Sequence, residues 1–291
     1  MTDTPNPEET APEGVDPHVP AAPRIWNHWL GGKDNYAADR RVGDQMAGLY
    51  PSIVRLARAD REFLGRAVRY LVAEEGVRQF LDIGTGLPTA GNTHQIAQEL
   101  APESRIVYVD NDPLVLAHAR ALLTSTPEGA TAYIDADLHD PERILGEAAR
   151  TLDLSRPFAV LLLGVLIYID DTPAAYSIVR TLKDALPPGG HLVIAHSTSE
   201  VHGAATEEVV RLRNERVKPP MTLRSGAEIA RFFDGLDLLE PGVVPCNRWR
   251  PHPAGAHGED VDEFAGVARK PRPGRAADRQ ASRPPGEQAA G

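Results

Sequence analysis

Leu81-Asp82-Ile83-Gly84-Thr85-Gly86 closes a short apolar run and passes directly into Leu87-Pro88-Thr89. Its glycines, Gly84 and Gly86, are two positions apart, a spacing that allows a tight turn and a close approach of the backbone to a ligand. Ligands of open parallel sheets bind beyond the carboxyl ends of the strands, where turns of this kind lie. Because the same glycine pair also opens NAD-binding domains, the turn alone leaves the ligand open.

Similar apolar runs recur along the middle of the chain and predict a parallel sheet. A strand that is apolar on both faces is typical of a sheet that is covered on both sides. The predicted strands are residues 79–83, 105–109, 131–134, 158–163 and 191–195. Segments with helical spacing separate them, at residues 89–100, 113–123, 141–150 and 172–186. Strands that alternate with helices in this way form βαβ units.

The pattern changes on both sides of this alternating region. Upstream, helices are predicted over residues 24–30 and 53–72. Downstream, helices are predicted over residues 200–214 and 225–233, and Ser225 with Glu228 forms a capping box at the start of the second. Two late strands, residues 238–244 and 263–268, are joined without a helix and can therefore pair antiparallel at the sheet edge.

The two ends of the chain differ in composition from its middle. Residues 1–22 are acidic and rich in proline, and residues 271–291 are rich in Pro, Gly, Ala and Arg without apolar periodicity. Neither end can bury enough apolar surface to offset the entropy of ordering. We therefore predict two disordered tails around one domain over residues 23–270, of which residues 23–75 form a helical cap or lid.

Composition excludes several classes of function. The 291 residues carry a formal charge of −10, which disfavours sequence-independent binding of nucleic acid. A single cysteine, Cys246, excludes an intramolecular disulfide and a multi-cysteine zinc site, and no metal is predicted. We find no apolar stretch near the roughly 18 residues that span a membrane and no signal-peptide pattern, so a cytoplasmic location is expected.

Polar residues follow the ends of the first three predicted strands. Asp82 lies beside the glycine turn, where its carboxylate could pair with a cationic amino group. Asp110 ends the second strand, where an acidic residue can accept both hydroxyls of a ribose, and Asn111 would lie beside the adenine. At the third strand, Asp135 could accept from the adenine amino group and the backbone N–H of Ala136 could serve a ring nitrogen.

Three details disfavour NAD. Thr89 stands where the NAD fingerprint has a small Gly or Ala, Pro88 removes an N–H near the helix start, and Asp82 would repel a pyrophosphate. After the fourth strand, Gly164 begins a short apolar segment that could pack beneath a cofactor. The predicted cofactor-binding residues are Asp82, Gly84, Thr85, Gly86, Asp110, Asn111, Asp135, Ala136 and Gly164.

These motifs carry a resemblance to a known family. Residues 81–86, 106–113, 134–137 and 160–168 resemble the first four motifs of class I methyltransferases that depend on S-adenosylmethionine (SAM). The segment from Arg24-Ile25-Trp26-Asn27 to residue 40, residues 82–89 and Trp249-Arg250-Pro251 look like signatures of an actinobacterial SAM-dependent methyltransferase family formerly grouped as a domain of unknown function. The resemblance implies an α/β fold, a Rossmann-like seven-stranded sheet that is mostly parallel with an antiparallel last strand and helices on both faces. It implies SAM as the cofactor and no particular acceptor.

The sequence gives less information about the residues that would bind the methyl acceptor. In the N-terminal signature, Gly31-Gly32 could be the hinge of a lid that includes Lys33 and Asn35, or the stop of a helix packed on the body. Tyr168, His196 and His28 are candidate general bases, but such residues more often serve packing or hydrogen bonding, so no catalytic residue is assigned.

Several functions remain open at this point. The loop after the fourth strand lacks the Asn/Asp-Pro-Pro-aromatic pattern of amino-group methyltransferases that act on nucleic acids. We therefore expect a methyltransferase with a small-molecule acceptor and without nucleic-acid or membrane partners, and the oligomeric state is open. The alternatives are a non-catalytic SAM-binding sensor or interaction protein, and an NAD-dependent oxidoreductase.

Overall fold

Five parallel strands form the centre of the sheet. The computed structural model describes residues 11–12, 14–89, 91–122, 124–251, 253 and 258–272, without the side chains of residues 120–122. The strands are β1 (Gln79–Ile83), β2 (Arg105–Asp110), β3 (Ala130–Asp135), β4 (Ala159–Leu163), β5 (His191–Ser197), β6 (Asp237–Leu238), β7 (Val244–Pro245) and β8 (Glu263–Arg269). All five predicted central strands are present.

The strand order confirms the predicted fold. It is β3-β2-β1-β4-β5-β8-β6, and β7 also pairs with β8. Strands β1 to β5 are mutually parallel, whereas β8 is antiparallel to β5, β6 and β7. The order reverses between β1 and β4, and ligands of such sheets bind at that switch point.

The edge of the sheet differs from the prediction in one detail. Among the described residues the sheet has eight strands, because the strand predicted over residues 238–244 is divided into β6 and β7. Between them the N–H of Gly242 donates to the carbonyl of Leu239, and Gly242 has a φ of +91°, which favours glycine. Both halves pair with β8.

Helices cover both faces of the sheet. They are α1 (Ala22–Trp29), α2 (Ala37–Leu49), α3 (Ser52–Ala73), α4 (Thr93–Leu100), α5 (Pro113–Leu122), α6 (Pro141–Ala148), α7 (Thr172–Ala185), α8 (Ala204–Asn214) and α9 (Gly226–Arg231). Helix α4 begins later than predicted because Asn92 and Gln95 form its capping box, and α8 begins later, after Gly203. The predicted capping box of Ser225 and Glu228 is present.

Alternate residues of the central strands face two apolar cores. Leu81 and Val107 pack with α6 and α7 on one face, whereas Phe80 and Ile106 pack with α3 and α4 on the other. Burial on both faces explains why these strands appear as continuous apolar runs in the sequence.

Helices α1 and α2 pack against each other and against α3, and α2 was not predicted. Arg24 of α1 is buried against Asp39 of α2, with 3.0 Å between Nε and Oδ2. Asp39 also accepts from the N–H groups of Ala21 and Tyr36, so one carboxylate joins both helices. At the end of α2, Tyr50 donates to Asp262, which ties α2 to the sheet.

The predicted tails are described only in part. Residues 1–10, 13 and 273–291 lie outside the described residues. Within the first tail, Val15 packs against Leu87, Leu114 and Val115, and the carbonyl of Val19 accepts from Arg24. The domain bounds stay a prediction. Within the described residues, no helix is long and apolar enough to cross a membrane.

Candidate functional site

A cavity of about 590 Å³ lies at the carboxyl ends of the central strands. The glycine turn after β1 forms its floor, and the ends of β2 and β4 form two of its sides. Residues of α1 and α3 and of the loop after α8 complete its lining. Its volume is in the range of small-molecule and cofactor sites, about 300 to 1,000 Å³.

The glycine turn requires both of its glycines. Gly84 has a φ of +75° and Gly86 a φ of +62°, in the left-handed region that side chains rarely adopt. A Cβ on Gly84 would lie 2.4 Å from Cγ2 of Val165. No atom of the described residues lies within 4 Å of a Cβ placed on Gly86, so the space beside it is open.

Asp110 is fixed beside this turn. Its Oδ2 accepts from the N–H of Gly86 and its Oδ1 from the N–H of Asp112, each at 3.0 Å. Burial raises the pKa of Asp110 to about 6, against the effect of these hydrogen bonds. The carboxylate therefore belongs both to the turn and to the wall of the cavity.

The end of β3 places a different carboxylate in the cavity from the one predicted. Asp135 is exposed and does not line the cavity, although its backbone pairs in register with Asp110. Because β3 is the edge strand, the chain turns over the cavity only after its end, at Ala136 and Asp137. Asn111 donates to Asp137 at 3.1 Å, which joins the two cavity walls.

A second pair of carboxyl groups lines the cavity where β1 and α3 meet it. Asp82 accepts from the hydroxyl of Thr93 at 2.6 Å, and burial raises its pKa to about 6. Asp60 of α3 also lines the cavity, and its Oδ1 is buried without a hydrogen-bond partner among the described residues. Burial raises the pKa of Asp60 as well. Arg61, next in the chain, lines the same end.

The turn after β4 is held by a buried arginine. Arg224 donates to the carbonyls of Leu166 and Ile169 and to Nε2 of His196. The other ring nitrogen of His196 donates to the carbonyl of Ser197, and burial lowers the pKa of His196 to about 3. His196 is therefore a neutral support for the turn, with both nitrogens in use.

The structure separates the three candidate bases. Tyr168 lines the cavity, and burial raises the pKa of its hydroxyl, which stays protonated. Both ring nitrogens of His196 are hydrogen-bonded, to Arg224 and to Ser197. His28 lies outside the cavity lining, and its Nε2 is hydrogen-bonded to Asp44.

The cavity brings together eight of the nine predicted cofactor-binding residues, all except Asp135. Sequence reasoning missed Asp60, Arg61, Asp137 and Lys218, which also line it. Only Asp137 carried a usable signal, since it follows the third strand by two residues. No group of three or more His, Cys, Asp or Glu residues in the described part of the chain is arranged to hold a metal.

Similarity to known proteins shows which family the chain belongs to. Residues 8–271 match the family described as S-adenosyl methyltransferase. The chain belongs to this family. It is therefore a SAM-dependent methyltransferase, as the motifs predicted. No curated protein matches the chain.

Solved structures agree with this assignment. A DUF574-family protein from Streptomyces avermitilis is 45% identical, covers 87% of this chain and 98% of its own, and has a TM-score of 0.83. A protein from Thermobifida fusca, provisionally described as a methyltransferase, is 38% identical over 90% of this chain and 98% of its own, with a TM-score of 0.82. An O-methyltransferase family protein from Burkholderia thailandensis, 15% identical over 88% of this chain and 65% of its own, shares the fold with a TM-score of 0.51.

Proposed function

We propose that the cavity holds SAM across the ends of β1, β2 and β4 and presents its methyl group to a small-molecule acceptor. The observation that carries this proposal is the meeting of the glycine turn with Asp82 and Asp110 in one cavity. Asp110 would accept from the ribose hydroxyls, and Asn111 would lie at the adenine. Asp137 takes the role that the sequence suggested for Asp135.

The remaining predicted residues line the path between these two ends. Gly84, Thr85 and Gly86 would lie beneath the cofactor, where a left-handed backbone without side chains allows close approach. Ala136 and Gly164 lie on either side of them, at the ends of β3 and β4.

The methionine end of SAM fits the pair Asp60 and Asp82. A buried carboxyl oxygen without a partner, such as Oδ1 of Asp60, costs free energy until it meets a donor. An ammonium group supplies three donors and a positive charge, and a neighbouring positive charge favours the ionised carboxylates. Arg61 at the same end suits the carboxylate of the methionine.

When bound, SAM supplies an electrophilic methyl group on a sulfonium sulfur. The chain has to hold the acceptor in line with that carbon and exclude water. Trp26, Leu30, Val165 and Ile169 give this part of the cavity an apolar wall. A base is needed only if the acceptor must lose a proton, and we assign no catalytic residue.

A small molecule suits this cavity better than a nucleic acid does. The charge of −10 and the carboxylates in the lining oppose a polyanion. The lining from α1 and from the loop after α8 also restricts the space above β4 to a compact acceptor.

The N-terminal signature supports the proposal of a lid. Trp26 and Asn27 line the cavity, and Asn35 donates to Asn27 at 2.8 Å. Gly31, with a φ of +80°, and Gly32, packed on Asn27, end α1 and would be the hinge of this lid. Asn35→Ala should weaken both SAM affinity and turnover, whereas the exposed Lys33 serves as a comparison through Lys33→Ala. Unchanged SAM affinity and unchanged turnover in Asn35→Ala would refute the proposed lid.

We also propose a cytoplasmic site of action and an actinobacterial origin. Cys246 is buried and free, as in proteins of reducing compartments. The relatives from Streptomyces and Thermobifida support the origin.

A radiolabel experiment tests the proposed acceptor class. The protein is incubated with methyl-labelled SAM and a cell extract separated into small molecules, nucleic acids and proteins. We expect a labelled product that separates from SAM in the small-molecule fraction, and the loss of that product with Asp110→Ala. Transfer into nucleic acid or protein would refute the acceptor class, and undiminished transfer by Asp110→Ala would refute the site.

A further inference from the structure

The cavity has two halves of opposite hydrogen-bonding character. The half at β1 to β3 is lined by carboxyl groups, among them Asp60, Asp82, Asp110 and Asp137. The other half, which we call the acceptor half, contains no carboxyl group among the described residues. It is formed by Trp26, Asn27, Leu30, Tyr168, Lys218 and Pro219.

The polar side chains of the acceptor half are arranged as donors. Oδ1 of Asn27 already accepts from Asn35, which leaves its Nδ2 for a ligand. The indole N–H of Trp26 and the ammonium of Lys218 have no hydrogen-bond or ion-pair partner within the described part of the chain, and neither does the hydroxyl of Tyr168. Burial raises the pKa of that hydroxyl, so that it too carries a proton. Several donors without acceptors favour a ligand that brings its own acceptor oxygens.

Lys218 lies in a loop at the cavity that several hydrogen bonds hold in place. The guanidinium of Arg213 lies 5.2 Å from the ring centroid of Tyr168 and donates to the carbonyls of Val217 and Pro219. The N–H of Thr222 donates to the carbonyl of Ile167 at 2.7 Å, which joins this loop to the turn after β4. The backbone on both sides of the exposed Lys218 is thus held beside Tyr168.

The distribution of positive charges around the cavity indicates what Lys218 could bind. The other arginine or lysine that lines the described cavity, Arg61, lies at the carboxylate end beside Asp60 and Asp82. In a chain with a charge of −10, an anion entering the acceptor half needs a local positive charge. Lys218 supplies it, and a flat apolar body can lie against Trp26 and Tyr168.

We propose that the acceptor is a small aromatic carboxylate, with its carboxylate bound by Lys218 and Asn27 and its ring held between Trp26 and Tyr168. This inference rests on the proposed function, because it assigns to the acceptor the half of the cavity that SAM leaves free.

A matched fragment screen tests it. Aromatic fragments, each prepared as carboxylate, carboxamide and amine, are screened by ligand-observed NMR against protein saturated with S-adenosylhomocysteine. We expect hits to concentrate among the carboxylates. Lys218→Met should weaken these hits by about fivefold or more, and Lys218→Arg should retain them. The exposed Arg180→Met on α7 removes the same charge outside the cavity and should leave them unchanged.

The controls distinguish this inference from the proposed function. Affinity for S-adenosylhomocysteine reports on the cofactor half, and Lys218→Met should not change it. If S-adenosylhomocysteine does not bind, the proposed function fails. If it binds but carboxylates are not enriched, or if Lys218→Met and Arg180→Met behave alike, the anionic acceptor is refuted and the proposed function stands.

Discussion

Asp137 and Asp135 are two residues apart but have different surroundings. Both side chains are exposed, but Asp137 lines the cavity and accepts from Asn111, whereas Asp135 lies outside the cavity lining. We predict that Asp137→Ala weakens binding of S-adenosylhomocysteine by about fivefold, a modest loss because the side chain is partly exposed. Asp135→Ala should leave it unchanged. Isothermal titration calorimetry on both variants measures this, and the reverse order of effects would disprove the assignment.

The two glycines of the turn should tolerate alanine differently. Both have a left-handed φ, which costs a residue with a Cβ about 1 to 2 kcal/mol. At Gly84 a Cβ would also lie 2.4 Å from Val165, whereas at Gly86 the space is open. Gly86→Ala should therefore lower the free energy of unfolding by about 1 to 2 kcal/mol, and Gly84→Ala by clearly more. Urea denaturation compares them, and equal losses would show that the contact with Val165 is unimportant.

At the scale of elements, the turn after β4 depends on Arg224. This fully buried side chain donates to two carbonyls of the turn and to His196. Arg224→Met would leave the carbonyl of Ile169 and Nε2 of His196 without a donor, whereas the carbonyl of Leu166 would keep the N–H of Ile169, and we predict a loss of about 3 kcal/mol in the free energy of unfolding. The surface variant Arg180→Met should change it by less than about 0.5 kcal/mol. Similar unfolding midpoints for the two variants would contradict this role for Arg224.

Some elements could be predicted from sequence because their burial is local. Strands β1 to β5 are buried on both faces, so each appears as an apolar run. Helix α2 was missed because its buried face, with Val42 and Met46, is interrupted by charged residues. That face is completed by α1, which lies earlier in the chain.

Parts of the cavity could not be predicted for a related reason. Asp60 lies within an Ala-Asp-Arg-Glu stretch of α3 that is typical of a solvated helix face, yet the sheet buries it. Lys218 reaches the cavity from a loop far along the chain from the glycine turn. Only tertiary packing brings these residues together, whereas Asp82 and Asp110 were identifiable because parallel strands end at one edge.

For the whole molecule, the carboxyl groups of the cavity predict a dependence on pH. Burial raises the pKa values of Asp82 and Asp110 to about 6 without ligand, from 3.8 for a free aspartate. Their contribution to the stability of the ligand-free protein is therefore fully present below about pH 4 and is lost as pH rises through about 6. An ammonium group at Asp82 and ribose hydroxyls at Asp110 both favour the ionised carboxylates, so ligand affinity should increase as pH rises, opposite to the stability of the ligand-free protein.

Affinity for S-adenosylhomocysteine should accordingly rise by about tenfold between about pH 5 and pH 7.5 and then level off. Calorimetry across this range measures the rise, and Asp82→Asn should flatten it. An affinity that does not change with pH would mean that Asp82 does not meet the cofactor's positive charge.

The central claim is that this cavity is the SAM site, and it is tested most directly by calorimetric titration of S-adenosylhomocysteine into the wild-type protein and Asp110→Ala. Asp110 would contact the ribose and also holds the N–H of Gly86. We predict one site per chain in the wild type and a loss of about 2 kcal/mol or more in Asp110→Ala, about 30-fold in affinity. Equal affinity of the two proteins, or no binding to the wild type, would contradict the account.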